Sequence, residues 1–536
     1  MNADLAGLGR MLALDLRRSW LRMLVWALVL PALVVTVVEY QKQTFPTQAD
    51  RDAYAAIANS PSVAALTGLP YAAATPGGIL DIKLWMSNAI ALALVCVFLV
   101  TRHGRAEEES GRAELLRATA LGRHAPSVAG WIMTAAFALV AGLLCGVAAI
   151  AEGLPAGGSM LMGLSFSGLG IAFVGVAAIT GQLASTGRGA TAWASIVLAA
   201  AYLVRAIADV NAVDDEPRWY TWLSPVGWAQ QTRSFGDDQW WPLLPLLALG
   251  IAGCGVAIAL ERVRDLGSGI VPARPGPVRA SALTRTVVGL PLRLQRTSIV
   301  SWTLGIAVTG LFFGGIATLM NGMLDQLRSS PIVVAISGGA DTPIDGLLGF
   351  LLVFLAVLVT AFAVQSTLML RHDEAGALAE LEWTAAVSRW SWVGARILIP
   401  ALGSLVMLAV GGSLMGASFG AQIGDAGESG RFALAAVGYW PVVALVTAFV
   451  ALLTAWMPRA AVAVAWSVYG VIVLLAALGD VLGLPHDVVA ATPYWVVPQP
   501  GRADASWGPV WLIAAAAVVL AGVALWRYRN RDEVQA

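Results

Sequence analysis

Polar and apolar positions alternate along this chain in blocks rather than residue by residue: stretches of about 20 apolar residues, each followed by a shorter polar segment. A run of that length, wound as a helix, crosses ~30 Å of hydrocarbon with every backbone hydrogen bond satisfied internally. Twelve such runs occupy 20–38, 79–101, 126–150, 159–183, 189–208, 240–260, 299–319, 345–370, 392–417, 432–456, 459–480 and 508–526. The pattern predicts an all-α polytopic membrane protein with twelve transmembrane helices.

The pattern also repeats. Leu16-Arg17 with Trp26 ahead of the first run returns as Leu292-Arg293 with Trp302 ahead of the seventh, and Ser60-Pro61 leading to Gly68 returns as Ser330-Pro331 leading to Gly338. The run from Arg188 to Asp209-Val210 matches the run from Arg459 to Asp480-Val481, and Ser224-Pro225 before Trp228 matches Thr492-Pro493 before Trp495. A near-constant offset means a six-span unit duplicated in tandem, residues 1–270 and 271–536, joined by an Arg/Pro-rich segment. An even number of spans per unit gives both copies one orientation, so the repeat axis runs along the membrane normal and two like halves face a central path.

Composition agrees with this picture: of 536 residues, 58% are hydrophobic and only 12% charged. Net charge is zero, so the information lies in where the charges fall. With the N-terminus inside, 24 of the 33 lysines and arginines lie on the inner side and 9 on the outer, which is rich in acids such as Asp50, Asp52, Asp237 and Asp238. Basic loops stay cytoplasmic, so both termini are expected on the inner side of a membrane that the chain crosses many times. Cys96, Cys145 and Cys254 all sit in apolar runs and read as small buried side chains. The polar N-terminus lacks a signal-peptide core, so the first span is expected to direct its own insertion. Trp219, Trp222, Trp228, Trp240 and Trp241 crowd one outer loop, as an interfacial aromatic belt or as a gate.

Two energy sources are missing from the residues. A P-loop needs Gly-Lys-Ser/Thr, yet the two lysines lie in Gln-Lys42-Gln and Ile-Lys83-Leu. An ion-coupled carrier places carboxylates near the bilayer midplane, whereas the acids here, such as Asp81, Asp209, Asp345 and Asp480, mark span ends. Energy is therefore expected from a soluble partner. His103, His124, His372 and His486 lie in loops or at span ends with no metal-binding spacing, so neither catalytic residues nor a metal site is expected; His103 and His372, each after an arginine, read as an equivalent surface pair.

The loop after the second span carries the most charge: Arg105-Ala-Glu107-Glu108-Glu109-Ser-Gly111-Arg112-Ala-Glu114-Leu115-Leu116-Arg117. A looser copy follows the eighth span, from Arg371 through Asp373, Glu374, Gly376, Glu380 and Glu382. Glu107 to Arg117 are good helix formers apart from Gly111, with acids first and Arg117 last, as the helix dipole favours. On such a helix Leu115 and Leu116 share a side with Gly111 and the acids project elsewhere, either into solvent or toward a partner.

These residues resemble a known family. The run from Arg105 to Leu116 with Gly122-Arg123 after it, and Trp222-Leu-Ser-Pro225-Val-Gly-Trp228-Ala-Gln-Gln with Trp240-Trp241-Pro-Leu-Leu, are similar to the permeases of actinobacterial ABC exporters of the tetronasin-resistance, polyketide-antibiotic type. The resemblance implies two tandem six-helix halves of the type-2 ABC exporter fold. It further implies a coupling helix after the second span of each half: Glu107, Glu108, Glu109, Gly111 and Glu114 in the first, Asp373, Glu374, Gly376 and Glu380 in the second, where the triple Glu and Gly-Arg are absent. The implied partners are two copies of a separate ABC ATPase subunit that carries ATP and Mg; this chain holds no cofactor and is not itself an enzyme. An amphipathic interfacial helix is implied before span one, with Leu5, Leu8, Leu12 and Leu16 at helical spacing. In type-2 exporters the second and fifth spans of each half line the cavity, which points to Trp85, Asn88, Trp193, Phe350, Phe354, Trp466 and Tyr469.

The expected function is the permease subunit of an ATP-driven exporter of hydrophobic or amphipathic small molecules, in antibiotic or multidrug efflux. A path without buried charge cannot solvate a highly charged ligand, and nucleic acid is not an expected partner. An ion-coupled drug transporter, a permease for lipid or another substrate, and a membrane anchor or sensor are the other readings.

Overall fold

The computed structural model describes residues 3–59, 61–212, 216–265, 267–272, 278–326, 343–376, 378–384, 387–478, 492–499 and 506–530. Among these residues all regular structure is helical. Ser60, the segment 330–338, Asp480 and His486, used above, lie outside them. The chain forms two compact units, Met1–Gly276 and Pro277–Ala536.

The first unit holds α1 (Leu8–Thr44), α2 (Gln48–Ala58), α3 (Pro61–Thr67) and α4 (Pro76–Leu80), which runs through a π-helical turn, Asp81–Trp85, into α5 (Met86–His103). Then come α6 (Arg105–Glu109), α7 (Arg112–Arg117), α8 (Ala125–Ala151), α9 (Ala156–Leu183), α10 (Gly187–Val210), α11 (Pro225–Gln230) and α12 (Leu243–Val263). Local chemistry sets the boundaries. Thr75, Thr186 and Ser224 each accept a hydrogen bond from the backbone N–H three residues on and so cap α4, α10 and α11. Prolines open α4, α8 and α11, where a missing N–H costs nothing.

In hydrocarbon, helices associate through close packing rather than the hydrophobic effect, and small residues permit it. A Cβ on Gly163 would sit 2.2 Å from the Gly142 carbonyl, so α8 and α9 meet backbone to backbone. Gly175 and Gly250 do the same for α9 and α12. The second and fourth spans are the most buried of this unit, with Trp85, Phe166 and Phe173 at its centre.

The second unit contains α13 (Gly289–Gln326), α14 (Pro343–Thr367), α15 (Met369–Ala375), α16 (Leu378–Trp383), α17 (Arg389–Ile423), α18 (Glu428–Val437), α19 (Trp440–Trp456), α20 (Ala461–Leu478) and α21 (Gly508–Arg529). Leu348, Leu352, Val359 and Phe362 of α14 form the middle of its core. Buried Tyr494 donates to Thr360 Oγ1 at 2.6 Å.

Eleven helical segments of the described residues are long and apolar enough to cross a membrane, which makes this an all-α polytopic membrane protein. The twelfth expected span, 459–480, is α20; its 18 described residues reach about 27 Å at 1.5 Å each. Its continuation lies outside the described residues.

One expectation changes. Among the described residues only a 3-10 turn, Ala3–Leu5, precedes the first span, and α1 is a single helix of 37 residues from Leu8 onward, with no separate interfacial α-helix. Along it Leu16 is 49% exposed, Leu8 and Leu12 are half-buried, and Met11, Asp15 and Ser19 form the buried side. Leu12, Leu16, Trp20 and Met23 instead line an apolar groove of about 530 Å³ with Ile132 and Phe137 of α8.

Candidate functional site: the loops after the second span of each unit

In the first unit α5 ends at His103, Gly104 breaks the helix, and the chain continues as α6 and α7. Gly111 joins the two with φ +73°, a backbone region that a side chain disfavours. Glu107 is buried, Glu108 half-buried and Glu109 exposed, yet each of these three consecutive glutamates of α6 is held by a different part of the unit. Glu107 accepts from Arg18 of α1 at 2.6 Å. Glu108 accepts from Arg105 at 2.8 Å and from both terminal nitrogens of Arg264, beyond α12, at 2.5 and 2.7 Å. Glu109 Oε2 accepts the Gly187 N–H at 2.9 Å, at the start of α10, where orphan N–H groups and the helix dipole favour an anion.

Arg105 extends the same junction. Its guanidinium is buried and donates to the carbonyls of Ser185, Gly267 and Ser268 at 2.9–3.0 Å. Arg264 Nε donates to Gln182 of α9 at 2.5 Å. The loop is thereby tied to the ends of the first, fourth, fifth and sixth spans at once. What remains exposed is its far edge: Ser110, Arg112, Glu114 and Leu115, the last 73% exposed.

The histidines belong to this end as well. His103 is buried, not superficial; its Nδ1 lies 3.1 Å from Asp15 Oδ1 and its Nε2 2.7 Å from Ser19 Oγ. That constellation has the connectivity of a hydrolytic triad, but Ser19 is buried and no substrate can reach it, so it serves as a polar latch between α1 and α5. His124 Nδ1 pairs with Glu261 Oε2 at 3.0 Å and latches the start of α8 to α12. The surface role expected of His103 and His372 fits His372 alone, which is exposed. Asp15 and Ser19, one turn apart on α1, were the sequence signal for this latch.

The second loop repeats the plan with different residues. Buried Asp373 and half-buried Glu382 both accept from Arg396 of α17, at 2.9 and 2.6 Å, and that guanidinium lies 4.1 Å from the Trp392 ring centre. Arg371 Nε donates to the Pro458 carbonyl at 2.8 Å, just ahead of α20. Arg105 binding Ser185, just ahead of α10, is the matching contact in the first unit. In both units, then, an arginine at the end of the second span grips the entrance of the fifth. Gly376 and Glu380 are exposed and Glu374 half-buried.

The residues expected on a substrate path separate into two groups. Trp85 and Asn88 pack inside the first unit: the Trp85 indole donates to Ser165 Oγ at 2.8 Å and Asn88 Nδ2 to the Leu30 carbonyl at 3.2 Å. A donor enclosed in an apolar bundle takes the nearest helix as its partner. Trp193 and Trp466 are instead 39% and 41% exposed on α10 and α20. Tyr469 stacks edge-on with Trp466 and donates to the Val357 carbonyl at 3.0 Å; Phe350 and Phe354 form a T-shaped pair, half-buried, on α14.

At the opposite end of the first unit lies a residue that hydropathy reading passed over. Arg205, fully buried on α10, pairs with Asp209 at 3.0 Å and donates to the carbonyls of Ala64 and Leu66. Gln230 donates to the Thr67 carbonyl at 2.6 Å, so three of the orphan carbonyls closing α3, those of Ala64, Leu66 and Thr67, have partners. Gly68 must be glycine here: φ is +103° and a Cβ would fall 1.3 Å from Gln230 Nε2. Beside it, Arg233, Phe235 and Asp238 all adopt left-handed backbone, and Phe235 is wedged against Gly77 and Gly158. Glu216 and Asp237 hold Arg233 over the Tyr71 ring, and burial raises the Tyr71 phenol above its ordinary pKa. The Arg205/Asp209 spacing of four inside an apolar run was the available signal. The offset that relates Arg188 to Arg459 puts Ala476, not an arginine, opposite Arg205. Arg205→Ala strands Asp209 and two carbonyls, a loss of about 3–5 kcal/mol. It is read as a lower melting temperature in detergent and new cysteine accessibility in 61–75, whereas Arg218→Ala, at an exposed site, leaves both unchanged.

The Trp-rich outer loop faces outward: Trp219, Trp222, Trp240 and Trp241 are exposed, with Trp222 and Trp241 stacked at 4.9 Å. Among the described residues no cluster of His, Cys, Asp and Glu could hold a metal ion.

Comparison with known proteins agrees with a transport fold. A family model described as multidrug efflux system permease Rv1217c, C-terminal domain, matches residues 285–529. The chain is also 31% identical to the multidrug efflux system permease protein Rv1217c of Mycobacterium tuberculosis over 537 positions, spanning 97% of this chain and 94% of that protein. With eleven helices among the described residues long and apolar enough to cross a membrane, and similarity along nearly its whole length, the chain belongs to the Rv1217c family of multidrug efflux permeases, multi-pass proteins of the bacterial membrane.

Proposed function

We propose that this permease is the membrane component of an ATP-driven exporter, of the type-2 ABC class and similar to the tetronasin-resistance permeases, energised by two copies of a separate ATPase subunit. The observation that carries this reading is the form of the two loops. Each is anchored by buried ion pairs on one side and exposes a short edge on the other, Ser110, Arg112, Glu114 and Leu115 in the first unit and Gly376, Leu378 and Glu380 in the second. A partner pressing on such an edge moves a rigid junction rather than a loose loop. In the first unit the displacement passes through Glu109 and Arg105 to α10, through Arg264 to α12 and through Glu107 to α1. With both termini cytoplasmic, these edges face the compartment that holds ATP, and closure of the ATPase pair biases the halves between inward- and outward-open states. Trp193, Trp466, Tyr469, Phe350 and Phe354 are the proposed substrate contacts, and an apolar or amphipathic small molecule the proposed cargo. The acidic triplet is thus an anchor, and the docking face is the edge beyond it.

Proteoliposomes containing the permease and its ATPase test the energy source. Efflux of a lipophilic fluorescent dye is expected to require ATP and to persist when a protonophore collapses the proton gradient. Transport by the permease alone, driven by a pH step, would establish the ion-coupled alternative.

A further inference from the structure

The chain has two lysines, and their surroundings differ. Lys42 is neutralised by Glu39 at 2.8 Å and Glu152 at 2.7 Å. Lys83 forms neither an ion pair nor a side-chain hydrogen bond among the described residues; aromatic rings surround it instead. Its Nζ lies 5.0 Å from the ring centre of Tyr40, 5.2 Å from that of Phe45 and 5.1 Å from that of Tyr54. Tyr40 and Phe45 come from the C-terminal end of α1, and Tyr54 from α2; the Phe45 and Tyr54 rings touch at 5.0 Å. Lys83 enters from the π-helical turn Asp81–Trp85, an irregularity that frequently marks a functional position.

Three ring faces within 6 Å of one nitrogen make an aromatic cage, the arrangement by which proteins recognise quaternary ammonium groups. The absence of any acceptor for the lysine N–H groups matters here. A primary ammonium in this position finds no protein acceptor among the described residues for its three donors, whereas a fully alkylated nitrogen needs none. Tyr40 is 47% exposed, so the cage opens to the surface of the unit. We propose that the Tyr40–Phe45–Tyr54 cage is a binding site for quaternary ammonium groups, and that Lys83 is a tethered occupant which such a group displaces. The group can belong to a free organic cation or to the choline headgroup of a phospholipid. The site does not depend on how transport is energised.

The test uses the full-length permease in detergent and tetramethylammonium as probe. Lys83→Ala is expected to bind it saturably, about tenfold tighter than wild type, because the competing ammonium is gone. Adding Tyr54→Ala is expected to abolish that gain. Equal affinity in wild type and Lys83→Ala, or a gain that survives loss of Tyr54, would overturn the proposal. A measurement on the wild-type chain guards against a variant that does not fold: reductive methylation with 13C labels only the two lysines and the α-amine. The Lys83 methyl signal is expected upfield, under three ring currents, and to move toward the Lys42 position as tetramethylammonium is added. Coincident lysine signals, or a Lys83 signal that the probe leaves in place, would equally contradict it. Repeating the titration in nanodiscs separates the sources. Weaker probe binding in phosphatidylcholine than in phosphatidylglycerol supports the site with the lipid headgroup as occupant; equal binding supports it with a free cation.

Discussion

A Glu108→Ala permease loses stability and transport together. Glu108 sits between two guanidiniums, Arg105 and Arg264, and all three side chains are nearly sealed from solvent. Removing the carboxylate leaves two like charges facing each other in a low-dielectric junction, and breaking a buried pair in this way costs about 3–5 kcal/mol. The loop then loses its tie to the sixth span, and with it the rigidity that turns a push on its edge into displacement of the helices. The measurement is melting temperature in detergent alongside dye efflux in proteoliposomes, both expected to fall sharply. Glu114→Ala, on the exposed edge, changes stability by no more than about 0.5 kcal/mol. A double-mutant cycle with Arg264→Met is expected to show strong coupling, since removing both partners relieves the stranded charge.

The second loop responds less. Asp373→Ala leaves Arg396 still paired with Glu382 at 2.6 Å and stacked on Trp392, so its charge stays compensated. Disrupting the first loop therefore costs more transport than disrupting the second, and equal losses would count against this ranking.

How much of this could be read from residues alone depends on which property carried it. Span positions were legible because the bilayer imposes a minimum apolar length, and α8, α9 and α10 fall where their apolar runs do. The tandem organisation was legible through paired landmarks such as Arg188 and Arg459. Facing was not. Three glutamates in a row announce charge, but whether they meet solvent, a partner or their own chain depends on Arg18, Arg105, Arg264 and the Gly187 N–H, which arrive from up to 156 positions away. Nor did the leucine stripe of α1 reveal its packed side, because in a membrane protein apolar side chains also face lipid and hydrophobicity alone does not identify that side. There the buried side was the polar one, because His103 offered Asp15 and Ser19 hydrogen bonds. Arg205 was missed because an arginine near a span end normally snorkels outward. Its carbonyl partners on α3 lie 139 and 141 positions earlier.

Leu115→Asp combined with Glu114→Arg has the opposite signature to Glu108→Ala: full stability, no coupling. Leu115 is 73% exposed, and neither substitution disturbs a contact that anchors the loop. An apolar residue left open at the centre of a charged edge is the kind of anchor a protein interface buries, while reversing the charge beside it repels a partner that fits the native edge. The change is expected to leave the melting temperature where it is and to remove ATP-dependent efflux.

The account's central claim, that energy enters through this exposed edge while the buried acids only hold it in place, rests most directly on association with the ATPase. The measurement is co-purification of the separately expressed ATPase subunit with wild-type permease and with the Glu114→Arg/Leu115→Asp variant, at matched amounts of folded protein. The account predicts that the wild type retains the ATPase and the variant does not. Undiminished ATPase capture by a variant that is folded and still exports would contradict it.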